Sequence, residues 1–482
     1  MGIQLRFTHV FGWPALAWVA QCSNTEVVLA HGSRVETAQN WFAEAVWPGP
    51  FGDGDFDQTD LVFGSGGRVS GGTVTFVSSG STVDRLVSFH AGKHVYVSNS
   101  LVALCATLNL SVDPLSDEYY SSFRSIVDGL QKYKHLLQTT QGPLRLTYFH
   151  NLRWDGHSLQ VIEKPFGDRT FDTFKEYREF LETSLIAINR NMMDPLRKWP
   201  YLPLGTLSAG YDSPTVAVLA REMGNTQVLT FQQGRQGLSD SGETIAARLG
   251  LHSIVLDRTA WRQDPFSVVP FLAADAYGEE AHFVAARCHL QGRVLLTGHN
   301  GGKVWDAVAH DLTPDIVRKD PSGLALTEWR LWVGFIHCPV SFFGVRNIEH
   351  IHRISTSEEM KPWSVGGDYD RPICRRIIED AGVERGLFAR AKNATAVVLW
   401  NPNEGFLPEE SMQDYTRWLR HHAPGWLRRR MLPPSWRAQA HNVISHLPGG
   451  WRVFDGHRFF YHLFPWALET AKRRYMGMGS IF

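Results

Sequence analysis

The first third of the chain alternates short apolar runs with Gly, Ser and Asp clusters: ALAWVAQ, TEVVLAHG, TVTFVSSG, RLVSFHAG and KHVYVSNS. Runs of this length separated by tight-turn residues predict strands of an antiparallel sheet or sandwich. The opening MGIQLRFTHVFGWPALAWVAQCS predicts a first strand and hairpin rather than an export signal. Arg6 and His9 precede an apolar run that Pro14 interrupts, and no A-x-A-like site follows. SNSLVALCATLNL predicts a strand end and a short helix, YYSSFRSIVDGLQKYKHLL has helical periodicity, and PLRLTYFHNLRW returns to alternation.

Beyond this region the period lengthens. Helical patterns over 171–192, 214–223 and 239–249 alternate with short apolar strands over 202–207, 227–231, 253–256 and 293–297. That succession predicts a parallel α/β sheet. From residue 401 the chain is rich in Trp and Arg, as in RWLRHHAPGWLRRRMLPPSWRAQ. A helical cap is favoured there over a basic interaction surface, because Trp in amphipathic patterns packs inward and long basic side chains cover apolar surface. The expected organisation is a β-rich domain over 1–165, an α/β domain over 166–400 and a C-terminal cap over 401–482.

Composition narrows the function classes. A chain of 482 residues exceeds the roughly 250–300 at which single cores stop growing. With 43% hydrophobic and 20% charged residues it reads as globular. Its 48 basic and 48 acidic groups cancel, which gives no general attraction to nucleic acid or anionic membrane. No apolar run approaches the roughly 20 residues of a membrane helix. Arg6 stands where a myristoylation signal needs Ser or Thr. The five cysteines are scattered without a C-x-x-C pair, which argues against a zinc ribbon or disulfide framework and suits a reducing cytoplasm.

The candidate chemistry begins in LGTLSAGYDSPTVAVLAREMG, a strand, a turn of small residues and a helix. The first N–H groups of a helix lack intrahelical partners and the dipole there favours negative charge, so this arrangement suits an anion. Gly210 permits close backbone approach, Ser208 and Ser213 add hydroxyl donors, and Pro214 fits the first turn. Asp212 would repel phosphate unless a divalent cation lay between them, which points to Mg²⁺. The loop is not a Walker A sequence. On these residues alone an ordinary strand-to-helix turn capped by Asp or Ser explains the stretch equally well.

SAGYDS resembles the S-G-G-x-D-S pyrophosphate loop of the N-type ATP pyrophosphatases, with Ala209 replacing the second glycine. Its surroundings resemble the asparagine synthetase family, which includes β-lactam synthetases and lasso-peptide cyclases. VLTFQQGRQGLSDSGETIAARLGLHSIVLD is similar to the family's strand, loop and helix succession, with Asp240, Glu243 and His252 at matching places. VLLTGHNGGKVWD resembles the strand ending in G-E-G-x-D-E-x-F-G-G, EEMKPWS resembles E-x-R-x-P-F-L, and FARAKNATAV resembles the R-x-K segment. VYVSNSLVALCATLNL resembles the end of the family's N-terminal domain. The likeness is collinear to about Val397. It implies a parallel-sheet ATP pyrophosphatase (adenine nucleotide α-hydrolase-like) domain preceded by a β-rich N-terminal nucleophile hydrolase-like domain, with homodimerisation an option.

Two positions depart from the family pattern. The family's glutaminase half uses an N-terminal cysteine, whereas this chain starts Met1-Gly2-Ile3 and its first cysteine is Cys22, so no glutaminase activity is expected. Gly302 stands where the family has its second Mg²⁺-binding aspartate, and Lys303 where it has glutamate. Either Asp306 then takes the metal, or Lys303 touches phosphate directly, or the site has lost its usual ATP chemistry.

The resemblance implies ATP with adenine near Leu207 and Phe231 and phosphates in the Ser208 to Ser213 loop. Ser208, Gly210, Tyr211, Asp212, Ser213, Asp240, Gly298 and Lys303 complete that nucleotide set, and Asp212 with Asp306 would hold Mg²⁺. Lys392 would stabilise charge in the transition states and Glu359 would act as general base toward the amine. Bland readings stand beside these: an N-cap for Asp212, a solvated lysine after Arg390 for Lys392, an exposed helix start for Glu359, helix-start carboxylates for Asp240 and Glu243, and a hydrogen-bonded structural residue for His299. Glu279, Arg330, Arg346, Asp370 and Arg371 either recognise a charged substrate or form structural ion pairs. The expected function is an ATP- and Mg²⁺-dependent ligase that adenylates a small-molecule or peptide carboxylate and joins it to ammonia or an amine. The alternatives are a nucleotide-binding or scaffold protein without turnover, and an adenylating enzyme that inserts nitrogen or sulfur at a carbonyl.

Overall fold

The computed structural model describes residues 2–116, 118–167, 169–235, 237–264, 268–275, 278–389, 395–397, 407–423 and 462–475. The chain is a mixed α/β structure with a β-rich N-terminal region and a separate parallel sheet.

Two sheets make up the N-terminal region. One has seven strands in the order β1 (Gln4–His9), β3 (Glu26–His31), β2 (Trp18–Cys22), β9 (His94–Ser98), β8 (Arg85–Ala91), β11 (Gly142–Tyr148) and β10 (Leu136–Thr139). The other has six, in the order β13 (Leu159–Ile162), β12 (Asn151–Trp154), β7 (Thr73–Val77), β6 (Phe63–Ser70), β5 (Trp41–Val46) and β4 (Glu36–Thr37). Both supply side chains to a shared core in which Trp18 of one sheet meets Phe42 and Phe76 of the other at ring separations of 5.1 and 6.1 Å. The opening residues form β1, which pairs in parallel with β3, while β2 and β3 make the antiparallel hairpin. Helix α1 (Leu101–Thr107) follows β9, with the Ser100 side chain accepting the Ala103 N–H as its N-cap.

The helical pattern of YYSSFRSIVDGLQKYKHLL overshoots the structure. Helix α2 (Glu118–Arg124) and a turn at Ser125–Asp128 end at Gly129, whose φ of 103° suits glycine. Leu136–Thr139 is instead edge strand β10 on β11.

Helix α3 (Phe174–Met192) opens with a capping box between Thr173 and Glu176, matching its sequence pattern. It leads into a five-stranded, all-parallel sheet in the order β16 (His252–Leu256), β15 (Gln227–Phe231), β14 (Leu202–Thr206), β17 (Arg293–Thr297) and β18 (Ile336–Pro339). Helix α4 (Asp212–Glu222) connects β14 to β15, and α5 (Glu243–Leu249) connects β15 to β16. The helix expected from residue 239 starts four residues later. Ser239 and Ser241 are drawn into bridges with Gln233 and Ser208, and Gly242 lies against Leu207, where a Cβ would sit 2.5 Å from Leu207 Cγ.

At the C-terminal end, helices Glu409–His422 and Leu463–Arg473 pack together through exchanged tryptophan bonds. Trp418 Nε1 donates to Glu469 at 2.6 Å and Trp466 Nε1 to Asp414 at 3.0 Å. The second helix also reaches the N-terminal region: Lys472 Nζ donates to the Leu110 carbonyl, and His462 Nδ1 lies 3.1 Å from the Pro114 carbonyl. The arginine-rich stretch between these helices lies outside the described residues. No described helix is long and apolar enough to cross a membrane. Cys22, Cys105, Cys338 and Cys374 are buried and Cys288 is exposed.

Helix Leu326–Val333, just before β18, joins the two regions. Glu328 accepts from Ser100 Oγ at 2.7 Å and from the Leu101 N–H at 2.8 Å, at the start of α1. Arg330, assigned by sequence either to substrate recognition or to a structural pair, takes the structural role. Its Nη1 meets Glu44 at 2.7 Å and its Nε meets Asp84 at 2.9 Å, with all three side chains buried. Ser65 and Asn99 also donate to Glu44, at 2.5 and 3.1 Å. Removing one member of such a group strands the others in a low dielectric. Arg330→Met is therefore expected to cost about 3–5 kcal/mol of stability, measured by chemical denaturation, with Arg330→Lys losing less.

Candidate functional site

The apolar strand β14 delivers a short loop to the mouth of α4, and backbone pairing holds that loop on several sides. The Leu207 N–H donates to the Leu229 carbonyl at 2.8 Å, the Ala209 N–H to the Asp240 carbonyl at 3.2 Å, and the Ala389 N–H to the Ala209 carbonyl at 2.7 Å. Inside the loop, Ser213 Oγ accepts the Ser208 N–H at 2.9 Å and lies 2.9 Å from Ser208 Oγ. Ser208 Oγ in turn accepts the Gly210 N–H at 3.3 Å. A Cβ at Gly210 would make ordinary van der Waals contacts, 3.5 Å to Ser208 Oγ and 3.6 Å to Tyr369 Oη, so Tyr369 closes over this end of the loop without crowding it.

The position in the sheet matters as much as the loop. From β14 the chain steps outward to β15 and β16, then returns to the other side of β14 for β17 and β18. In open parallel sheets, ligands bind in the crevice beyond the strand ends where the winding reverses. Here that crevice is closed tightly around Asp212. A Cβ on Gly298, just after β17, would lie 2.6 Å from Asp212 Cβ, and one on Gly301 would lie 2.8 Å from Asp212 Oδ1.

The remaining candidate residues divide by what they touch. Asp212 pairs with Arg371 at 2.5 Å. Tyr211 is buried, its hydroxyl accepts from Arg375, and its ring packs on Tyr369 and Phe388 at 4.9 and 5.9 Å. Burial raises the Tyr211 phenol pKa. Asp240 is buried, accepts from Thr395 Oγ1 at 2.8 Å, and has its carboxyl pKa raised by burial. Phe231 ends β15 against His282 and Phe283, at 4.8 and 5.9 Å.

Other candidates are engaged elsewhere. Lys303 is buried and its ammonium donates to the His310 carbonyl; burial lowers its pKa. Asp306 pairs with Lys319 and accepts the Val308 N–H at 3.0 Å. Glu359, with its side chain half exposed, is held by Arg376 at 2.6 Å. Glu243 accepts from Ser241 Oγ at 2.9 Å at the start of α5, and His252 is exposed at the start of β16. Asp370 organises its own turn, accepting from the Val365 and Gly366 N–H groups at 3.1 and 3.0 Å, and Arg346 pairs with Glu163 at 3.3 Å. Burial next to Asp275 pushes the Glu279 carboxyl up to about 7. Lys392 and Arg390 lie outside the described residues.

Expectation and structure part at the metal. Asp212 and Asp306 do not share an ion: each carboxylate has its own basic partner, Arg371 and Lys319. Among the described residues no group of three or more His, Cys, Asp or Glu could hold a metal. The described residues therefore do not fit a protein-held Mg²⁺.

Sequence reasoning missed two features. Arg371 was offered for substrate recognition or a structural ion pair, but nothing in the sequence names Asp212, 159 positions away, as its partner. The second is that the partly buried His299, read singly from sequence, stands in a group with the buried His282 and His337. His299 and His337 lie 5.2 Å apart, His337 Nε2 is 2.9 Å from Thr297 Oγ1, and His282 packs on Phe231. The comparisons with known proteins add no family: no family profile matches the chain and no curated sequence matches it.

Burial lowers His299 to about 4 and His282 to about 3, so both are neutral in the fold. An unfolded histidine titrates near 6.5. The folded values are depressed, so this contribution to stability is present above about pH 6.5 and is lost as pH falls toward the folded values. The melting temperature is expected to drop between pH 7 and pH 4.5, and His299→Asn is expected to flatten that drop in a series of thermal melts.

Proposed function

We propose that the parallel sheet is an ATP pyrophosphatase-type domain. In this reading ATP is a substrate whose β- and γ-phosphates lie in the Ser208 to Ser213 loop, with Leu207 and Phe231 near the adenine. The observation that carries the reading is the Ser208 to Ser213 loop itself, with two hydroxyls at the start of α4, placed where the sheet reverses its winding.

The reaction class is ligation of a carboxylate to ammonia or an amine. An oxygen of the acid attacks the α-phosphorus, the bond from that phosphorus to the bridging oxygen breaks, and pyrophosphate leaves with the bonding electrons. The amine nitrogen then attacks the acyl carbon, the carbon–oxygen bond to AMP breaks, and the nitrogen gives up a proton. Glu359 is the candidate base for that proton, and Lys392 the candidate cation at the acyl oxygen. No step is assigned to a protein-held metal. In this reading the β-rich region is an N-terminal nucleophile hydrolase-like domain without glutaminase activity, and the site of action is cytoplasmic.

One observation favours a second reading, nucleotide binding without turnover: the carboxylate expected to face a metal is instead satisfied by Arg371. Purified protein incubated with ATP and fractions of small acids and amines separates the two. AMP and pyrophosphate that appear together only with particular fractions support the ligase, and ATP that binds without AMP release supports the second reading. Gly210→Val is expected to fill the mouth and weaken ATP at least tenfold, about 1.4 kcal/mol, in calorimetric titration with an unchanged melting temperature. Wild-type protein that binds no ATP overturns both readings.

A further inference from the structure

Among the described residues, a carboxylate and a guanidinium, Asp212 and Arg371, form an ion pair in front of α4. Arg371, at the start of helix Pro372–Asp380, is 5% exposed and donates through Nη1 to Asp212 Oδ1. A Cβ on Gly302 would lie 2.8 Å from Arg371 Nη2, so any side chain at 302 would displace the guanidinium. Gly298 and Gly301 leave equally little room on the Asp212 side. Three glycines thus let an arginine reach the carboxylate at the mouth of the loop.

The guanidinium is not saturated by the protein. Its Nε is buried without a hydrogen-bond partner, and the Asp212 bond uses Nη1. An incompletely paired buried cation is costly, and beside the Ser208 to Ser213 loop and a helix N-terminus it is suited to phosphate oxygens. A divalent cation between two carboxylates is formally neutral, and so is one guanidinium with one carboxylate. The exchange conserves the charge offered to a polyphosphate.

We propose that Arg371 is a built-in substitute for a protein-bound divalent cation: it meets the phosphates of ATP directly, and the protein itself coordinates no metal. This rests on the nucleotide reading above. It predicts that the wild type binds ATP in excess EDTA and in excess Mg²⁺ with dissociation constants within about threefold of each other. Arg371→Met is expected to weaken binding in EDTA at least tenfold, since it leaves Asp212 facing the phosphates. Arg371→Lys, which keeps the charge and loses the planar fork, is expected to fall between them and guards against misfolding of the methionine variant.

A measurement without nucleotide completes the test. Paramagnetic resonance of Mn²⁺ added to the protein alone is expected to show no bound ion for the wild type and one bound ion for Arg371→Met/Gly302→Asp, which restores a carboxylate pair. Wild-type ATP binding that needs Mg²⁺ by tenfold or more and does not respond to Arg371→Met overturns the inference and leaves the nucleotide reading standing. Stoichiometric Mn²⁺ on the nucleotide-free wild type does the same. Absence of ATP binding under either condition overturns the nucleotide reading, and this inference with it.

Discussion

A buried guanidinium shared by two carboxylates sets the arrangement of the molecule. Arg330 comes from the region of the parallel sheet, while Glu44 and Asp84 come from the β-rich region. None of the three has water to fall back on, so the regions must meet in a pose that satisfies all of them at once. Glu328, two residues earlier on the same helix, adds a directional constraint by accepting N–H groups at the start of α1. Strand β18 then lies beside β5 and β6, and stacked rings of Phe63 and Phe343 at 5.2 Å extend the junction. The loops that follow β14 and β17 are held on this frame.

Within that frame the site depends on the absence of side chains. Ordinary loops are held apart by their Cβ atoms. Here Gly298, Gly301 and Gly302 remove that spacing, and the β17 loop settles onto Asp212 and Arg371. Hydroxyls, a helix terminus and an ion pair are left around Gly210. Two residues just after the three glycines, Lys303 and Asp306, are committed to other partners.

Much of the architecture could be read from periodicity because it is local. Strands 227–231 and 293–297 are bounded where their apolar runs end, and α3 starts at its capping box. The failures arise where distant residues decide. The helix expected through residue 137 breaks at Gly129, where Asp315 accepts the Gln131 N–H at 2.7 Å and its carbonyl accepts the Leu130 N–H at 2.8 Å. The loop residues Ser208, Gly210, Asp212 and Ser213 could be named from spacing. Their electrostatic state could not, because Arg371 is 159 positions from Asp212. A basic residue in sequence carries no sign of whether it will meet substrate, solvent or a buried acid, and Arg330 and Arg371 illustrate two of those outcomes.

The junction also bears on synthesis. Glu44 and Asp84 leave the ribosome long before Arg330, and the surface of α1 emerges long before the helix Leu463–Arg473 that covers it. The β-rich region is therefore made with two acids lacking their base and an apolar face lacking its cover. Domains that emerge early normally fold as units. Here the unit reaches its full set of contacts only once the Leu463–Arg473 helix has been made.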